Sequence, residues 1–416
     1  MAIALSAHGR AASSPAPWLE PASFWSELDA ATTALDTPFG VLHLGALRFN
    51  AHDMVRRAAG KPIRVATKSI RVRSVLDSLL ATDGYRGVLA FTLPEALWLA
   101  ETIDDVVVGY PTADRAALIR LAADERLASR ITLMVDSVEQ LDLIDACVPP
   151  NARASIRLCL ELDVAWRAGP PLGNIGVLRS PIFTAEDAER FARTIESRAG
   201  FELVGLMAYE AQIAGLVDNV ASRAAFSAGM RWIKRQSMSE LAERRAAAVT
   251  AVRRVTELEF VNGGGTGSLE STSADDSVTE IAAGSGLFGG HLFDDYREFS
   301  PAPAASFALS VVRKPRENTA TVLGGGWTAS GPPGRDRLPR VVWPEGLEMV
   351  PREMAGEVQT PLVGASAVQL HPGDRVWLRH TKSGELSEHL NAFSVVDDGQ
   401  IIDTLPTYRG EGKAFL

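Results

Sequence analysis

Short apolar runs alternate along this chain with longer stretches in which apolar residues recur every three or four positions. The runs fall near 63–68 (IRVATK), 88–91 (VLAF), 105–109 (DVVVG), 131–135 (ITLMV), 156–162 (IRLCLEL), 203–208 (LVGLMA), 258–262 (LEFVN) and 278–283 (VTEIAA). Their shortness and apolar continuity predict buried strands. Between them, LPEALWLAETI (93–103), TADRAALIRLAADERL (112–127), SVEQLDLIDACV (137–148), AEDAERFARTIESRA (185–199) and RRAAAVTAVRRV (244–255) carry the helical period. Strands joined by helical crossovers over about 220 residues predict a (β/α)8 barrel rather than an open doubly wound sheet.

The pattern changes on either side of this rhythm. Residues 1–17, rich in Ala, Ser and Pro, read as a loose tail. FWSELDAATTALD predicts a short helix, and VLHLGALRF a strand running into the helix of NAHDMVRRAAG. Beyond about residue 300, FALSVVRKP, TATVLGGGW, RVVWP, DRVWLRH and NAFSVVDDGQIIDTL are short strands separated by turns such as GPPGRD, HPGD and DDGQ. We therefore expect a barrel over 18–300 and a β-rich domain over 301–416. The pattern leaves open which of the two the early helix and strand join.

Composition narrows the partners. Hydrophobic residues make up 46% and charged residues 22%, the balance of an ordinary globular protein. The formal net charge of −9 gives no basic footprint for nucleic acid. No apolar run reaches the roughly 18 residues of a membrane helix, and the first residues make a poor signal peptide. Cys147 and Cys159 form neither a disulfide framework nor a zinc-finger spacing, so a reduced, cytoplasmic setting is expected.

Candidate chemistry sits on the predicted strand ends. The first strand ends in Lys68, where VRSVLDSLLA then begins a helix. At the mouth of a barrel, desolvation makes such a lysine a nucleophile; its alternative is a surface lysine capping a strand. The seventh strand runs into Asn262-Gly263-Gly264-Gly265-Thr266-Gly267-Ser268, and the eighth into Gly284-Ser285-Gly286. Glycine-rich turns with hydroxyl side chains can converge N–H and O–H donors on an anion, and in barrels these two loops often hold phosphate. No Lys-Ser/Thr pair follows, so this is not a Walker loop. A phosphate site and a strand-end lysine at one barrel mouth suggest pyridoxal phosphate, whose aldehyde forms an imine with the lysine. The fifth strand offers Arg167 as a donor to the cofactor ring, or as a salt-bridge partner of Glu161 or Asp163. The sixth offers Tyr209, as a ring contact, an acid/base or a residue that closes the barrel end.

The order of a strand-end Lys, ELDVAWRAG, MAYEAQIAG, NGGGTGS and EIAAGSGLF resembles the fold-type III pyridoxal-phosphate enzymes. Within them it is similar to the D-threonine aldolase/D-serine dehydratase group, over roughly residues 36–410. The resemblance implies an alanine racemase-like barrel with a β-rich domain, a homodimer, and Lys68 as the Schiff-base lysine. It also implies lyase chemistry on a small β-hydroxy amino acid, of D configuration. A racemase and a non-catalytic cofactor carrier are the alternatives. Three departures stand out: Val65-Ala66 and Ile70-Arg71 flank the lysine where the family usually has histidines, no tyrosine occupies the loop after strand eight, and no clear His-x-Cys or His-x-Asp metal pair precedes NAFSVV. A divalent metal is therefore left open, with His380, Glu385 and His389 as remaining candidates. Lys382 is read either as a cation that takes over the metal's charge or as part of a solvated loop.

Overall fold

The computed structural model describes residues 3–5, 16–332 and 334–416. The expected barrel is present and closed. Its strands are β1 (Ile63–Ala66), β2 (Tyr85–Ala90), β3 (Val106–Val108), β4 (Ile131–Val135), β5 (Ile156–Glu161), β6 (Phe201–Ala208), β7 (Phe260–Gly263) and β8 (Glu280–Ala283). All eight pair in parallel in chain order, and β8 closes onto β1 through Ile281 opposite Ile63. The interior is filled by Val107, Met134, Cys159, Val204, Met207 and Phe260. At the opposite end from the site, the buried guanidinium of Arg64 is matched by Glu280 at 2.7 Å and Asp105 at 2.7 Å. A charge there is tolerable only because both flanks are paired.

Local signals set the outer helices. In Ala185–Glu196, Ala188, Phe191, Ala192 and Ile195 line one buried stripe at helical spacing, and Thr184 with Asp187 forms a capping box. Burying each large apolar side chain contributes about 1.5–3 kcal/mol. Asp114 and Thr92 cap the helices Arg115–Ala122 and Leu93–Leu99 by accepting from Ala117 and Glu95 N–H groups. The crossover after β6 is longer than expected: one helix runs from Ala224 to Arg253, where periodicity picked out only its last third.

The second unit is a nine-stranded sheet. The early strand, Phe39–His43, belongs to it. It pairs antiparallel with Ala305–Arg316 and parallel with Ala392–Asp397. Two strands not expected from the sequence, Leu347–Met349 and Gln359–Gly364, extend one edge. The helix after the early strand, Leu44–Arg57, returns the chain to the barrel and packs on Ser285–Phe288. Part of the expected tail also differs: Ile3 and Leu5 are buried in the core, while residues 6–15 lie outside the described residues. Among the described residues, no helix is long and apolar enough to cross a membrane.

Candidate active site

The C-terminal ends of the strands open into a cavity of about 530 Å³, the size of a small-molecule site. Lys68 enters it from a 3-10 turn, Thr67–Ser69, directly after β1. Thr67 holds this turn to the next strand by donating to the Leu89 carbonyl at 3.0 Å. The Lys68 ammonium donates to the Tyr110 hydroxyl at 2.9 Å. Burial pushes the Tyr110 phenol up, but the Lys68 charge, their hydrogen bond and Arg179 outweigh it, so the phenol lies below its usual value.

Arg179 faces the same cavity, lying 5.4 Å from the Tyr110 ring and 5.0 Å from the Tyr209 ring. Its ion-pair partner is Glu161 at 3.5 Å, whose carboxyl is nevertheless raised by burial. Tyr209 lines the wall; burial dominates and raises its phenol. Arg167 is not at the cavity. β5 is followed by a hairpin, Trp166–Gly169 with Gly173–Ile175, that carries Arg167 outward. There it stacks 3.4 Å from Phe183 and pairs with Asp163 at 3.8 Å, the salt bridge weighed against its ring role.

The two glycine loops meet as expected, with a difference in their donors. Gly264, Gly265, Thr266 and Ser285 border the cavity, and the Ser285 and Thr266 hydroxyls lie 3.1 Å apart. The amides of Gly264 and Gly286 are used inside the protein, donating to Glu210 at 2.9 Å and to Thr266 Oγ1 at 3.0 Å. Both amides thus help to shape the loops, as does the Ser285 hydroxyl, which donates to Thr266 Oγ1. Gly284 is needed for closeness: a Cβ there would stand 2.6 Å from the Ala66 carbonyl oxygen. Behind the loops, buried Glu210 accepts from Gly264, from Thr272 and from Arg245 at 3.0 Å, while Arg57 donates to the Thr266 carbonyl at 2.7 Å.

The β-rich unit closes the mouth. Its helix Ser383–Glu388 lies on the lysine turn, with Ser387 donating to the Ile70 carbonyl at 2.8 Å and Ser383 to the Ser285 carbonyl at 3.0 Å. Lys382 lines the cavity just before this helix and donates to the Ser330 carbonyl at 2.7 Å. Burial, then the nearby Arg337 charge, and further off Lys68, lower the Lys382 ammonium. His380 and Glu385 border a small side chamber next to the cavity. His380 is held neutral, with burial the main cause, at about 3. His389 stacks flat on Trp327, with ring centres 4.9 Å apart. Among the described residues, no group of three or more His, Cys, Asp or Glu is placed to hold a metal ion.

Sequence reasoning missed Tyr110, Arg179, Glu210 and Arg337. Tyr110 stands one residue beyond the expected strand 105–109, the same signal that singled out Lys68. Arg179 and Arg337 arrive on loops whose course no periodicity reveals.

Comparison with known proteins follows the same lines. The sequence matches the family described as alanine racemase, N-terminal domain, over residues 42–291. A D-threonine aldolase of an Arthrobacter species is 27% identical over 259 residues, covering 61% of each chain. A 3-hydroxy-D-aspartate aldolase of Paracoccus denitrificans (strain Pd 1222) is 25% identical over 264 residues, covering 61% of this chain and 60% of that one. The matched stretch is thus about three-fifths of those relatives' own length. The D-threonine aldolase of Filomicrobium marinum has the same fold, with a TM-score of 0.71 at 20% identity over 90% of this chain and 95% of that one. So has the D-threo-3-hydroxyaspartate dehydratase of Delftia sp. HT23, at 0.68 and 19%, over 91% and 98%. With that match over most of its barrel, the chain belongs to the alanine racemase N-terminal domain family.

Proposed function

We propose that this protein is a pyridoxal phosphate-dependent lyase acting on a small, D-configured β-hydroxy amino acid through Lys68. The observation that carries the reading is the shared cavity, lined by the Lys68 amine and by the Thr266 and Ser285 hydroxyls. The residues fit the cofactor. Thr266 and Ser285 supply hydroxyls for its phosphate, Gly284 lets the loop that carries Ser285 lie close against the lysine strand, and Lys68 supplies the amine. When bound, the cofactor supplies an aldehyde for that amine and an electron-withdrawing ring beside the substrate's Cα.

The chain's own residues then have separable tasks. Tyr110 positions the Lys68 amine; its phenol, lowered by Lys68, can give up its proton, and the resulting phenolate can accept one from Lys68 Nζ and return it. Tyr209 and Met207 wall the cavity. Helix Ser383–Glu388 limits water at the mouth, which strengthens each polar contact inside. The aldolase names among the relatives favour bond cleavage at the β-carbon over inversion at Cα.

The test is a substrate panel: D- and L-serine, threonine, 3-hydroxyaspartate and alanine, assayed for aldehyde, keto acid and inversion. Aldehyde or keto acid from D-configured β-hydroxy substrates alone is the expected result. Borohydride treatment of the cofactor-saturated protein should leave a label on the peptide containing Lys68. A protein that takes no label and turns over none of the panel would overturn the reading, and inversion without cleavage would make it a racemase.

A further inference from the structure

The glycine-rich loop after β7 is held by a residue that the reading above does not use. Three consecutive glycines, Gly263 to Gly265, begin it, and Gly264 takes a left-handed backbone with φ of +83°. Such a run has many shapes open to it, and fixing one of them costs conformational entropy. Glu210 fixes this one. It is 1% exposed and is not one of the residues that border the cavity. Its Oε2 accepts from the Gly264 N–H at 2.9 Å and from Arg245 at 3.0 Å. Its Oε1 accepts from the hydroxyls of Thr272 and, at 3.4 Å, Ser268. Ser268 Oγ in turn accepts from the Gly265 N–H at 3.1 Å. One carboxylate thus fixes two successive glycine amides, the first directly and the second through Ser268.

The next residue is Thr266, which borders the cavity. Its hydroxyl oxygen accepts from the Gly286 N–H at 3.0 Å and from Ser285 at 3.1 Å. An oxygen that already accepts twice has its own proton left to offer an anion. Where that proton can point follows from the backbone at 264 and 265, and hence from Glu210. A carboxylate behind an anion site needs an explanation, because its charge repels the ligand. Arg245, also 1% exposed, supplies one by pairing with Glu210 and with Asp275 at 3.1 Å. The ion pair balances the charge of Glu210, and a carboxylate has acceptor sites for all four donors. A glutamine would offer one oxygen and bring two donors of its own.

We propose that Glu210 is a positioning residue for the cofactor's phosphate, holding Gly264 and Gly265 so that Thr266 meets that group in a ready-made cradle. The inference rests on the cofactor reading above and goes beyond it to what presets the loop. A loop fixed before binding loses no freedom on binding, so the gain shows as affinity for the phosphate alone.

The test compares two aldehydes that differ only in the phosphate. The full chain is titrated with pyridoxal phosphate and with pyridoxal. The imine on Lys68 is followed by absorbance and by borohydride labelling of its peptide. The unaltered protein should prefer the phosphorylated aldehyde by about a hundredfold or more. In Glu210→Gln that preference should shrink about tenfold or more, with the affinity for pyridoxal unchanged. Equal affinities in the unaltered protein, or a retained preference in the variant, overturn the proposal. So does an equal loss for both aldehydes, which a merely structural role would give. If Glu210→Gln does not fold, Ser268→Ala decides: it spares the carboxylate and should cost about threefold or more on pyridoxal phosphate alone. If the unaltered protein forms no imine with either aldehyde, the cofactor reading falls by itself. The positioning role is then read with inorganic phosphate, whose affinity Glu210→Gln should lower by about the same tenfold; an unchanged affinity overturns it.

Discussion

Gly384 lies against the carbonyl oxygen of Lys68 with no room for a methyl group between them. The β-rich unit therefore rests on the turn that carries the candidate nucleophile. Gly384→Ala must push the helix Ser383–Glu388 off that turn or distort it, at about 1–3 kcal/mol for overpacking. The expected outcome is a thermal midpoint lower by a few degrees, together with weaker cofactor retention on dialysis. Unchanged values for both would mean that the two units do not bear on each other there.

Tyr110 makes a different prediction, about pH. Its phenol is drawn below the usual value chiefly by Lys68, against the effect of burial. Turnover should therefore show an alkaline limb below the ordinary tyrosine value of about 10. Tyr110→Phe should lower the rate by about two orders of magnitude and abolish that limb or move it upward. A rate and profile like those of the unaltered protein would remove Tyr110 from the reaction.

A third prediction concerns stability. Glu95 is buried beside the lysine turn, with one carboxylate oxygen accepting from the Phe91 N–H at 2.7 Å. Burial raises its carboxyl from 4.5 to about 7, against weaker opposing contacts. Between those values the folded state holds a proton that the unfolded state has released. Stability therefore falls as pH rises through that window and levels off above it. At about 1.4 kcal/mol per pH unit, the loss is on the order of a few kcal/mol. Denaturant melts of Glu95→Gln at several pH values should show this slope removed, and a slope equal to that of the unaltered protein would refute the assignment.

The barrel was legible because each of its strands is a short apolar run between polar turns, and the runs near 131–135 and 156–162 match β4 and β5 almost residue for residue. The placement of Lys68, Thr266 and Ser285 on the cavity followed from the same logic, since strand ends in a barrel share one mouth. Arg167 was misplaced because that logic assumes the chain turns inward after β5, whereas an added hairpin turns it outward and Arg179 returns instead. Glu210 stood in plain view beside Tyr209. Its work, accepting from groups that lie some sixty positions along the chain, is invisible without the fold.

The strand Phe39–His43 is woven between Ala305–Arg316 and Ala392–Asp397. As the chain leaves the ribosome, this segment appears before the barrel and must wait, unpaired, while the whole barrel is made behind it. Its partners emerge only after the barrel, so the sheet can close only around a thread already fixed to the barrel through the helix Leu44–Arg57. A cut near residue 300 would thus release neither unit whole. The later fragment would lack an interior strand, and the earlier one would carry an apolar ribbon with both edges bare. Exchange of the two units between relatives has to move three pieces of chain, not two.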